Sequence, residues 1–236
     1  MRPAVPDLES DVPANSDRVA PNKAFTLSFA PGYLHLEHMA EIKENVTTPP
    51  RLTSADLASM PRDGKLYELI EGELYVSRQP SFYHQFTCGR LFRLLDEWNE
   101  QSGLGVVNAA PGLIFAEDDD VAPDLVWMSW DRFNSAIGED GRLHSAPELV
   151  VEVLSPGRVN ETRDRQAKVK LYSRRGVQEY WIVSWQERRV EVYRRDGEWL
   201  TLWRTVESSD SLESPLLPGF APEVNRFFFR PPTKVS

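Results

Sequence analysis

The chain has 236 residues, with 27 Lys and Arg against 36 Asp and Glu and a formal net charge of −9. That length fits one domain with or without an extension, and 41% hydrophobic residues are enough to bury a core. The acidic balance excludes a protein that coats nucleic acid by bulk charge, though not a local basic groove, and a single cysteine, Cys88, excludes an internal disulfide framework.

Residues 1–50 hold seven of the 18 prolines, so no long periodic pattern survives there. They read as a disordered extension ahead of a domain over 51–230, with 231–236 as a short tail. No apolar run reaches the roughly 20 residues of a membrane helix, and the first residues lack the apolar stretch of a secretory signal. With one cysteine, the expected setting is cytoplasmic.

Thr53 or Ser54 caps a short helix that stops by Pro61. Residues 66–76 (LYELIEGELYV) alternate as a hairpin about Glu71-Gly72, with Glu68, Ile70, Glu73 and Tyr75 on one face. Pro80-Ser81 opens a helix to about Gln101, on which His84, Cys88, Leu91 and Leu95 share a side. Cys88 there reads as a small buried hydrophobe. Strands follow over 105–109, 112–116 and 123–129, with Asp118-Asp119-Asp120 as a solvated acidic loop.

Residues 147–155 (PELVVEVLS) form the most apolar strand, which suits a central position. Residues 162–174 are helical and 177–184 form another buried strand. A second hairpin turns at Asp196-Gly197, and residues 215–229 are punctuated by proline. The order indicates a mixed α/β fold with helices flanking one sheet.

Two acids sit inside apolar strands, Asp124 in VAPDLVWM and Glu152 in ELVVEVL. A buried lone carboxylate costs several kcal/mol unless it is paired, protonated or bound to a metal. Alternation puts Glu148 and Glu152 on one face. Strand carboxylates that converge suit a hard cation such as Mg²⁺; the plainer reading has Asp124 capping a loop and Glu152 pairing with an arginine. Residues 158–175 carry seven basic side chains against two acids. One helical stripe holds Asp164, Lys168, Leu171, Tyr172 and Arg175. This is either a solvated basic face or a wall that meets phosphate.

Taken together, YELIEGEL, APDLVWMS, PELVVEVLSPG and RDRQAKVKLYSRRGVQEYWIV resemble the Uma-two family within the PD-(D/E)XK nuclease superfamily, over about residues 52–229. The resemblance implies a restriction-endonuclease-like core, a central mixed sheet flanked by helices with an N-terminal hairpin. It implies a metal-dependent DNA endonuclease using Mg²⁺ or Mn²⁺ held by Asp124, Glu152 and the Val153 carbonyl. The usual lysine two residues after the glutamate is absent, since Leu154 stands there, and Lys168 matches the position from which similar families supply it. Glu68 and His84 match further site residues. Arg158, Arg163, Arg165 and Tyr172 are the expected nucleic-acid contacts, and a homodimer suits a duplex cutter. Two rivals stay open: a binding module with a degenerate site, and a protein-interaction domain on the same fold.

Overall fold

A computed structural model describes residues 51–231, apart from the side chains of Arg158 and Val159. The proposed extension 1–50 and nearly all of the tail lie outside the described residues. Helix α1 (Ser54–Ala58) is closed by a capping box, in which the Thr53 backbone N–H donates to Asp56 Oδ2 at 2.8 Å. Strands β1 (Leu66–Ile70) and β2 (Glu73–Ser77) pair antiparallel with Ile70 opposite Glu73. Glu71 and Gly72 both take positive φ, 54° and 73°, which a two-residue hairpin of this hand requires.

Helix α2 (Phe82–Ser102) starts at Ser81, whose hydroxyl accepts the His84 N–H, and ends at left-handed Gly103. His84, Cys88, Leu91 and Leu95 are buried along one stripe, as their spacing requires. Strands β3 (Gly105–Ala109) and β4 (Leu113–Ala116) follow. The acidic triplet is not a solvated loop. Residues Asp119–Val121 form strand β5, and Asp119 is fully buried because Arg174 and Arg175 pair with it. Strand β6 (Leu125–Ser129) leads directly into helix α3 (Trp130–Ala136), capped by Ser129; the sequence reading had no helix there.

Strand β7 (Leu149–Val153) is buried throughout. Helix α4 (Arg158–Thr162), a π turn (Arg163–Ala167) and helix α5 (Lys168–Arg175) form one winding segment. Strands β8 (Glu179–Ser184), β9 (Arg189–Asp196) and β10 (Trp199–Val206) follow, and a 3₁₀ turn spans Val224–Phe227.

The strands form two sheets. The larger runs β10-β9-β8-β7-β6-β3, parallel only between β7 and β8. The smaller runs β2-β1-β5-β4. Alternation along β7 divides the core. Leu149, Val151 and Val153 pack with α2 and the C-terminal Leu217, Phe220 and Phe227. Val150 and Leu154 pack on the other side with Leu171 and Tyr172 of α5 and with Ile70 and Val121 of the small sheet. Burying each such Leu or Val contributes about 1.5–3 kcal/mol. This is the mixed α+β arrangement expected, with helices on both faces of a central sheet, but the sequence reading had one sheet, and β1, β2, β4 and β5 form a second. No helix among the described residues is long and apolar enough to cross a membrane.

Candidate active site

The antiparallel register of β6 and β7 sets Leu125 opposite Val151. One step further puts Asp124 level with Glu152; Asp124 meets His84 of α2, and Glu152 meets Lys168 and Tyr172 of α5. Asp124 Oδ2 accepts the Val153 backbone N–H at 2.7 Å, which fixes the carboxylate beside the strand. Glu152 is 4% exposed. Its Oε1 accepts the Lys168 amine at 2.7 Å and the Tyr172 hydroxyl at 2.9 Å. Lys168 opens α5, and Tyr172 follows one turn later on the same face, so a single helix delivers both donors.

Lys168 also lies 3.0 Å from Glu68 Oε1, which accepts the Ala122 backbone N–H as well. The other Glu68 oxygen, Oε2, is buried without a hydrogen bond among the described residues. Arg163 stands 3.5 Å from that oxygen and donates to Asp164 Oδ1 at 2.9 Å. His84 Nε2 is 3.3 Å from Asp124 Oδ2, and its Nδ1 is 3.6 Å from Cys88 Sγ. A cavity of about 240 Å³ is lined by Glu68, His84, Asp124, Glu152, Arg163 and Lys168. The larger hollow, about 600 Å³ between Tyr75 and Gln166, has no such convergence of acids and bases.

Four acids, Glu68, Asp124, Glu152 and Asp164, thus face two fixed cations, Lys168 and Arg163. Burial raises the Glu152 pKa to about 8, with Lys168 pulling the other way and the neighbouring acids adding to the rise. Burial opposes the charge on Lys168, yet Glu152 and Glu68 hold it protonated with a raised pKa. Burial likewise opposes a charge on His84, but the hydrogen bond and charge of Asp124 outweigh it and raise its pKa. Burial pushes the Cys88 thiol far up, so it is neither a nucleophile nor a ready thiolate.

The donor set fits a hard divalent cation. Among the described residues, hydrogen bonds to Asp124 and Glu152 use one oxygen of each, leaving Asp124 Oδ1 and Glu152 Oε2 for an ion. Glu68 Oε2, ion-paired with Arg163 but without a hydrogen bond among the described residues, and the excess of acids point the same way. His84, Cys88 and Asp124 also offer three ligand atoms within 4.8 Å of one another. That trio would need the thiolate that burial disfavours.

Asp124, Glu152, Lys168, Glu68 and His84 therefore come together, as does the Val153 backbone. The expected nucleic-acid contacts fare differently. Tyr172 is fully buried and spends its hydroxyl on Glu152. Arg163 is buried among the site acids. Arg165 is engaged by Glu161 and Glu191, and the Arg158 side chain lies outside the described residues. Glu148 accepts from Ser129 and pairs with Arg132 instead of joining Glu152. Sequence reasoning overlooked Arg163 as a partner of Glu68 and Tyr172 as a partner of Glu152. The 4, 4 spacing from Asp164 through Lys168 to Tyr172 was the signal for the second.

Residues 54–225 match the Uma2 family, described as "Putative restriction endonuclease". Among solved structures, a "putative nuclease belonging to DUF820" from Anabaena variabilis is similar at 18% identity. That match has a TM-score of 0.60 and covers 75% of this chain and 97% of that one. It establishes the restriction-endonuclease-like fold. The type IIG restriction endonuclease BpuSI is matched at 12% identity and a TM-score of 0.33, over 62% of this chain and 16% of that chain. None of the curated proteins matches. With the match spanning most of its length, the chain belongs to the Uma2 family.

Proposed function

We propose that this protein is a metal-dependent DNA endonuclease whose site is the cavity of Asp124, Glu152, Glu68 and Lys168. One observation carries the reading. The Lys168 amine bridges Glu152 and Glu68 from α5, supplying the cation that Leu154 cannot provide from the strand.

Asp124 and Glu152, with the Val153 carbonyl, would hold Mg²⁺ or Mn²⁺. Such an ion, when bound, supplies Lewis acidity toward water and phosphate. The chain's own residues do the rest. An ammonium has three donors; Lys168 gives one to Glu152 and pairs with Glu68 at 3.0 Å, so a further donor can meet an attacking water or a phosphate oxygen. Glu68 fixes that amine from the opposite side. His84, 3.3 Å from Asp124 Oδ2, holds Asp124 in place, so the carboxylate meets its ligand already oriented. Tyr172 fixes Glu152 in the same way.

The test is cleavage of supercoiled, linear and single-stranded DNA with Mg²⁺ or Mn²⁺. Asp124→Ala and Glu152→Ala should each lower the rate by more than about 100-fold, above what loss of a supporting partner does. Binding without turnover by the wild type would overturn the proposal in favour of a degenerate site. So would cleavage that survives both substitutions.

A further inference from the structure

The basic segment 158–175, which in sequence looks like the nucleic-acid wall, is neutralised inside the fold. Lys170 and Arg174 pair with Glu71, Arg175 with Asp119, and Arg165 with Glu161 and Glu191. Arginines with no carboxylate partner among the described residues gather elsewhere. Arg90 on α2 lies 5.1 Å from the Phe86 ring centre, and Arg188 lies 5.0 Å from that of Phe228. Arg226 and Arg230 are exposed beside them. These side chains line or border a hollow of about 350 Å³ with Phe86 and Phe229.

The same face carries an exposed aromatic cluster. Phe82 is 64% exposed and Tyr83 45%. Phe82, Phe86 and Tyr83 all touch Phe229, and Tyr83 stacks on Trp185 at 5.0 Å. The Trp185 indole N–H has no acceptor among the described residues. The cluster adjoins the catalytic cavity along the chain, since His84 and Gln85, which line that cavity, follow Phe82 and Tyr83 in the first turn of α2.

We infer that this α2 and C-terminal face is a platform for unpaired DNA, guiding one strand to the cavity at the α2 N-terminus. This rests on the endonuclease reading above. Free arginines supply the attraction for phosphate. Exposed rings offer stacking surface that a base inside a duplex cannot use, because its own faces are already stacked. The small cavity and its buried carboxylates suit a single flexible backbone better than the convex side of a rigid duplex.

The experiment is fluorescence anisotropy in EDTA, with a fluorescein-labelled oligo(dT) and a duplex of equal length. Wild-type protein should bind the single strand at least about fivefold more tightly than the duplex. Phe82→Ser with Tyr83→Ser should weaken single-strand binding by at least about fivefold, the lower bound for losing one stacked base. Arg90→Gln with Arg226→Gln should reduce the slope of log K against log salt by about 1.4, or roughly 0.7 for each phosphate contact. All four side chains are solvent-facing, and an unchanged melting temperature shows that the fold is kept.

Equal or tighter duplex binding overturns the inference, as does unchanged affinity and slope in both variants. Variants that lose only self-association also overturn it and make the face a protein interface. The two proposals fail separately. Loss of cleavage on Asp124→Ala with normal binding by the platform variants removes only this inference. Loss of single-strand binding in those variants, with no cleavage by the wild type, removes only the nuclease reading.

Discussion

Replacing Lys168 with methionine tests the electrostatic logic of the site. Lys168 is 1% exposed, with Glu152 at 2.7 Å and Glu68 at 3.0 Å. Methionine keeps the volume of the stem and removes the charge. Breaking a buried pair by removing one partner costs about 3–5 kcal/mol. At roughly 2–4 °C per kcal/mol for a domain of this size, the melting temperature should fall by about 6–20 °C. The loss should depend on pH. Burial already raises Glu152 to about 8, so the variant can shed charge by keeping a proton. A carboxyl whose folded pKa is raised destabilises progressively as pH rises from its unfolded value, about 4.3, through its folded one. The deficit should therefore be small at pH 6 and largest near pH 9, and adding Glu152→Gln should recover part of it there. Thermal melts by circular dichroism in EDTA measure all of this. A fall of less than about 3 °C at pH 9, or a deficit independent of pH, would refute the reasoning.

Metal binding should release a proton from Glu152, so Mn²⁺ affinity by calorimetry should rise between pH 6 and 9, with an enthalpy that varies with the buffer. A flat profile would mean that Glu152 is not a ligand. Tyr172→Phe removes one buried hydrogen bond to Glu152 and should lower stability by about 1.5–3 kcal/mol in urea titrations, with cleavage reduced by misplacement of the carboxylate. Asp119→Asn should cost about 1–3 kcal/mol, a discounted figure because Arg174 and Arg175 are partly exposed. Burial raises the Asp119 pKa, but the Glu71 N–H and the two arginines lower it further. Its contribution is therefore present above about pH 3.9 and lost as pH falls through the depressed value. The variant should lack that step in acid melts.

Local chemistry explains which elements were legible in sequence. The β1–β2 turn is written in Glu71-Gly72, α2 in the Ser81 cap and the spacing from His84 to Leu95, and β7 in its unbroken apolar run. Strand alternation joined Glu148 to Glu152, which Ser129 and Arg132 prevent; Asp124 was set beside Glu152 by family resemblance, and the β6–β7 register brings the two level. What stayed hidden depends on partners distant in sequence. Asp119 looks like a solvated acid until Arg174 and Arg175, 55 and 56 residues later, fold over it. The same ion pairs remove those arginines from any DNA surface. Tyr172 looked like a contact residue, and the π turn before α5 leaves it facing inward onto Glu152. Short α3 has little periodicity to read, and only its Ser129 cap foretold it.

The position of a bound divalent ion tests the site most directly. Anomalous diffraction from crystals soaked in Mn²⁺ should give a peak within about 2.0–2.6 Å of oxygens from both Asp124 and Glu152, near the Lys168 amine. A peak held by His84, Cys88 and Asp124 without Glu152, or no peak in the cavity, would contradict it.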